Sequence, residues 1–163
     1  MKNLLYVFFI LSSMSVYAQG NLTYQKPPRE ILELVDVSRA PNVLMDEEQE
    51  NMILLYRDSY KSIEELSQEE LRLAGLRIDP NTNIGSRVTY FNNVKIKHLN
   101  KKGAEIIQVK GLPQKPKLTN FSWSPDQSKI ALTNTNKNGV EVWVLDIKSA
   151  AVTQLTKARI NGN

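Results

Sequence analysis

The amino-acid sequence predicts a mainly β chain made of two four-stranded antiparallel units in series, and three observations predict it. Residues 121–156 (FSWSPDQSKIALTNTNKNGVEVWVLDIKSAAVTQLT) hold four strand-like runs in linear order, separated by turn signals. The third run is apolar on both faces, with Val140, Val142 and Val144 on one side and Trp143, Leu145 and Ile147 on the other. A strand of that kind is covered twice, which a lone four-stranded sheet cannot do for itself, so a neighbour of the same kind is expected. The same pattern recurs upstream in two gap-free registers: residues 42–54 on 120–132 at an offset of 78, and residues 94–109 on 140–155 at an offset of 46.

In chain order, residues 1–18 read as a secretory signal peptide. Lys2 supplies the basic start, residues 4–11 (LLYVFFIL) are apolar but too short to span a bilayer, and Val16-Tyr17-Ala18 places small residues for cleavage before Gln19. The competing reading is an uncleaved anchor; a lipoprotein is excluded, because no cysteine follows. Residues 19–41 form a tether with a short amphipathic segment, in which Ile31, Leu34 and Val35 follow the break at Pro27-Pro28 at helical spacing.

The first unit is expected over 42–110, and the difference between the two offsets places an insertion of 32 residues between its second and third strands. The insertion is expected to be largely helical over 58–87. Ser62-Ile63-Glu64-Glu65 and Ser67-Gln68-Glu69-Glu70 both have the form of a capping box, Gly75 is placed as a helix stop, and Asp79-Pro80-Asn81 makes a turn. The second unit is expected over 111–156. Pro125 and Asp126 suit the centre of its first turn, and Asn138-Gly139 predicts a primed hairpin turn with positive φ at both positions. Residues 157–163 are expected to open a connection to a third unit.

Composition narrows the function. The 163 residues carry 21 Lys and Arg against 17 Asp and Glu, far from the concentrated basic face of a nucleic-acid binder. Without cysteine there is neither a disulfide framework nor a thiolate metal site. No G-x-S-x-G, H-E-x-x-H or phosphate-cradling glycine loop occurs, and no catalytic residue, metal or cofactor is expected. The single histidine, His98, alternates with Val94 and Ile96 and reads as a packed strand residue. Lys95, Lys97, Lys101 and Lys102 read as the solvated side of an outer hairpin, and the insertion's glutamates as a solvated face. Arg77 and Arg87 bracket the DPNTN turn and are the candidates for contact with an anionic substrate group, since a guanidinium grips a carboxylate with two parallel hydrogen bonds. The simpler alternative pairs both with local acids such as Asp79.

Several strings resemble a known family. PPREILELVDVSRAPNVLMDEEQENMILLYRD, ELSQEELRLAGLRIDPNTNIGSR, FSWSPDQSKIAL and VWVLDI are similar to the opening of secreted serine peptidases of the prolyl oligopeptidase family, most of all to its glutamyl endopeptidase group. The resemblance runs over about residues 24–163. It implies an incomplete β-propeller of two blades, followed in the parent protein by an α/β-hydrolase domain that carries Ser, Asp and His and cleaves peptides, in this group after glutamate. It further implies that the propeller filters peptide substrates, that this stretch is itself inactive, and that the parent is exported to the periplasm or beyond the cell without stable membrane insertion. A non-enzymatic envelope propeller acting as a binding or scaffold module stands as the alternative, and a small secreted β protein that dimerises as a third.

Overall fold

The structure, a computed structural model, describes residues 25–158, and the chain divides into two units, 1–37 and 38–163. The signal peptide expected at 1–18 lies outside the described residues. In the first unit, helix α1 (Arg29–Val35) begins at Pro28, whose fixed φ suits a helix entry, and Arg29 Nε meets Glu33 Oε1 at 2.8 Å one turn on. The expected amphipathic segment is thus helical.

The named strands of the second unit all pair antiparallel. Strands β1 (Asn42–Met45), β2 (Asn51–Tyr56), β5 (Asn93–His98) and β6 (Ile107–Gln108) form one four-stranded sheet in the order β1-β2-β5-β6. Strands β7 (Leu118–Trp123), β8 (Lys129–Asn136), β9 (Gly139–Asp146) and β10 (Ala151–Gln154) form a second in simple succession. A two-stranded sheet of β3 (Leu71–Leu73) and β4 (Leu76–Ile78) lies within the insertion.

The internal repeat extends to hydrogen bonds. Ser124 N donates to Lys129 O at 2.9 Å, Gln127 N to Ser124 O at 2.9 Å, and Gln127 sits at φ +55. At the offset of 78, Asp46 N donates to Asn51 O at 3.3 Å, Gln49 N to Asp46 O at 3.2 Å, and Gln49 sits at φ +58. In each turn the first residue's side chain also takes the amide that opens the next strand: Lys129 N donates to Ser124 Oγ and Asn51 N to Asp46 Oδ1. Two glutamines in a backbone region that side chains rarely enter, at matching places, show one turn built twice.

The core lies between the two four-stranded sheets, and it joins unlike faces. Ile53, Leu55, Val94 and Ile96 of the first sheet pack with Ile130, Leu132, Leu145 and Val152 of the second. By the two offsets, Ile53 and Leu55 correspond to Ala131 and Thr133, and Val94 and Ile96 to Val140 and Val142. Those four residues lie on the far side of the second sheet, alternating with Ile130, Leu132, Trp143 and Leu145. Conversely, Ile130 and Leu132 correspond to Met52 and Leu54, on the far side of the first sheet. The sheets therefore stack head to tail. Two seams lock the junction: Phe91 and Leu118 exchange backbone hydrogen bonds at 2.9 Å each, and Lys110 bonds Ala150 O and Val152 N, also at 2.9 Å. The Phe91 and Phe121 rings meet edge to face at 5.8 Å.

Three expectations are corrected. The insertion is helical only at α2 (Ile63–Leu66), where the first capping box forms: Glu65 N donates to Ser62 Oγ and Ser62 N to Glu65 Oε2. The second box starts no helix. Leu71-Arg72-Leu73 and Leu76-Arg77-Ile78 alternate with period two, and Ala74 at φ +46 with Gly75 at φ +91 closes them into a hairpin, so Gly75 is a turn residue and not a helix stop. At the second hairpin Asn136 pairs with Gly139, which leaves Lys137-Asn138 as the loop; of these four residues only Gly139 has positive φ, at +130. Lastly, β9 buries Leu145 on its core face with Trp143 partly buried beside it, while on the other face Val140 is buried and Val142 and Val144 remain half-buried.

The turn between β7 and β8 sets a pH response. Asp126 accepts hydrogen bonds from the Ser124 hydroxyl (2.6 Å), the Ser128 hydroxyl (2.7 Å) and the Ser128 amide (3.3 Å), and these hold its carboxyl down at about 2. A carboxyl depressed on folding adds stability above its unfolded value of about 4, and that stability is lost as pH falls through the folded value. The expected outcome is that Asp126→Asn flattens the fall in Tm between about pH 4 and pH 2. An unchanged acid profile in the variant would contradict this.

Candidate functional site

The sequence places Arg77 and Arg87 on either side of a turn, and the structure brings both to one cleft. β4 carries Arg77 and runs into Asp79, whose carboxylate Oδ1 accepts Asn81 N at 2.8 Å and whose backbone amide donates to Ile84 O at 2.8 Å. The chain reverses here and returns beside β4, with a bridge between Ile78 and Gly85 and Ser86 N donating to Arg77 O at 2.8 Å. Asp79 therefore shapes the turn; the acid that pairs with Arg77 is Glu70.

Glu70 is the hub. Its Oε1 meets Arg77 Nη1 at 2.8 Å and Arg72 Nε at 3.1 Å, and its Oε2 accepts the Ser86 hydroxyl at 2.7 Å. Its carboxyl is held below its ordinary value, chiefly by the Ser86 hydroxyl, against the opposing effect of burial, with Arg72 and Arg77 adding smaller contributions in the same direction as Ser86. Arg72 and Arg77 are direct cross-strand partners, a like-charge placement that is unfavourable without an acid between them. Lys61 Nζ donates to Ser86 O at 3.1 Å and ties the returning strand to the segment before α2.

Arg72, Arg77 and Arg87 line an open cleft of about 660 Å³, together with Gly75, Leu76, Gly85 and Val88. Arg87 is exposed, and among the described residues its side chain has no hydrogen-bond or ion-pair partner. Two of the three guanidinium groups, Arg72 and Arg77, thus share one carboxylate, and the third has none. Arg72 and Glu70 are not singled out by motif reading; the alternation that reveals the hairpin is the signal that sets Arg72 opposite Arg77. Replacing Glu70 by Gln is expected to loosen this hairpin while leaving the four-stranded sheets intact. Faster amide exchange confined to Leu71–Ile78 is the readout, and unchanged exchange there would count against the role given to Glu70.

His98 lies apart from the cleft. Its Nδ1 is 2.7 Å from Asn51 Oδ1, and Asn51 Nδ2 donates to the buried Asp46 at 2.6 Å, so it joins a network that braces the β1–β2 turn. Lys95 packs over the Tyr56 ring at 4.9 Å. Among the described residues no cluster of His, Cys, Asp and Glu has the form of a metal site, and no helix is long and apolar enough to cross a membrane.

No protein-family profile and no solved structure matches the chain. Two curated proteins are similar to it. It is 27% identical over 139 residues to a probable glutamyl endopeptidase, chloroplastic, of Arabidopsis thaliana, which covers 81% of this chain and 14% of that protein. It is 26% identical over 144 residues to a protein of the same name from Oryza sativa subsp. japonica, covering 83% of this chain and 15% of the relative. The chain is thus distantly related, over most of its length, to proteins named as peptidases, and spans about a seventh of theirs.

Proposed function

We propose that this chain is the leading part of a β-propeller, two blades at 42–110 and 111–156, in an exported serine peptidase of the prolyl oligopeptidase family. The observation that carries the reading is the junction of unlike faces. A pair of sheets related by a two-fold axis buries equivalent faces and is finished; head-to-tail stacking leaves the complementary face open at each end and generates a ring when the rotation closes. The faces left here are of the required kind: Val43 and Met45 are exposed on the first sheet, and Val142 and Val144 half-buried on the second. The distant similarity to proteins named glutamyl endopeptidase agrees in direction.

On this reading the parent cleaves peptides by acyl transfer from a Ser-His-Asp set in an α/β-hydrolase domain outside these residues. The propeller filters peptide substrates, and Arg77 and Arg87 contact them. The chain as given is inactive. Export rests on Lys2, the apolar run 4–11 and Ala18, whereas the plant relatives are named for a chloroplast address. The second reading, a non-enzymatic envelope scaffold, is supported by the absence of any nucleophile motif within these 163 residues.

Sequencing the coding region downstream of Asn163 separates the two. A G-x-S-x-G on a strand-turn-helix is expected; further blades followed directly by a stop codon would overturn the peptidase reading. Purified chain is expected to leave a glutamyl peptide intact, and turnover that survives removal of contaminating proteases would refute its inactivity.

A further inference from the structure

We infer that the hairpin cleft is a carboxylate-binding site in which Arg87 is the free ligand group and Glu70 the resident organiser of the other two arginines. This deepens the substrate contact proposed above and rests on it for biological use, although binding can be read on this chain alone. Arg72, Arg77 and Arg87 line one cleft with no acid among its lining residues, and the one acid that pairs with any of the three, Glu70, is already engaged by two of them and by Ser86. Two positive charges remain uncompensated, and a guanidinium with no partner is the group best shaped to take a planar carboxylate.

Position supports the same assignment. Arg77 is only 38% exposed and is fixed by its bond to Glu70, so it offers a preset direction to an incoming anion. Leu76 and Val88 give the cleft an apolar wall on which the stem of an acidic side chain, or the residue before a chain terminus, can lie. The cleft volume of about 660 Å³ accommodates a few residues of peptide. The shared chemistry is therefore a peptide carboxylate, borne either by a side chain or by the C-terminus.

The test uses the full 163-residue chain, isotopically labelled, with NMR of the arginine Nε–Hε signals during titration. Three short peptides serve as probes: an acetylated, amidated Ala-Glu-Ala; its Ala-Gln-Ala counterpart; and acetylated Ala-Ala-Ala with a free C-terminus. Binding of a carboxylate-bearing peptide is expected to move the Arg87 and Arg77 signals, to weaken as sodium chloride rises from about 0.02 to 0.2 M, and to weaken about tenfold in Arg87→Gln. Response to the first peptide alone assigns a side-chain carboxylate, and to the third alone a terminal one. Equal response to Ala-Gln-Ala, no response to either acid, or undiminished binding by Arg87→Gln would overturn the inference. Arg87 makes no bond that the fold depends on, so its variant stays folded, which unchanged backbone spectra verify. Carboxylate binding without a downstream hydrolase would leave the site standing and remove only the peptidase reading.

Discussion

Leu145→Ala is expected to unfold both four-stranded sheets together, at a cost of about 2–5 kcal/mol. Leu145 is fully buried on β9 and belongs to the single cluster that includes Ile53, Leu55, Val94 and Ile96 of the other sheet. Removing its side chain leaves a cavity whose walls come from both sheets, so neither can relax alone. Trp123 and Trp143 pack against this cluster and report the second sheet by fluorescence, while amide exchange at β2 and β5 reports the first. The expected result is one urea transition, displaced equally for both probes. If β2 and β5 stayed protected while the tryptophan signal was lost, the sheets would be independent and the shared core would not be what holds them.

The second large effect is expected at Gly111→Ala, at about 3 kcal/mol, against about 1 kcal/mol for Gly103→Ala. Both glycines are left-handed, at φ +80 and φ +78, so the backbone penalty of adding a Cβ is the same. Their surroundings differ. A Cβ at Gly103 meets nothing within 4 Å, whereas at Gly111 it falls 2.9 Å from Val152 O, a backbone atom on β10. Val152 is the residue whose amide bonds Lys110 across the seam, so the clash pushes the two sheets apart where they are stitched. Chemical denaturation of the two variants measures the difference, and equal costs would show that close approach at Gly111 does not matter.

Much of this architecture could be read from residue order. The alternation in β8 and β9, the turn at Pro125-Asp126 and the two gap-free registers all express one repeated pattern, and the structure repeats it down to the left-handed Gln49 and Gln127. The insertion departs from its expected helix for a physical reason. Leucine, arginine and glutamate are good helix formers, and the second serine-glutamate spacing imitates the helix start that the first one makes, so local propensity points one way while the period-two alternation about Ala74-Gly75 points the other. The hairpin prevailed at β3 and β4. Arg77 and Arg87 were found because they flank a visible turn; Arg72 and Glu70 were not, because they join the cleft only once the hairpin sets Arg72 opposite Arg77 and Glu70 reaches both.

Joining dissimilar surfaces gives the assembly a direction, like steps in a spiral stair. Each added module would present the surface that the next one requires, so lengthening by duplication needs no newly invented contact. The total is then governed by the angle between neighbours and not by their chemistry. On the propeller reading a residue buried at one junction has a counterpart that would serve the adjoining one: Ile53 packs in the shared core, whereas Ala131, its equivalent, lies on the opposite face of the second sheet.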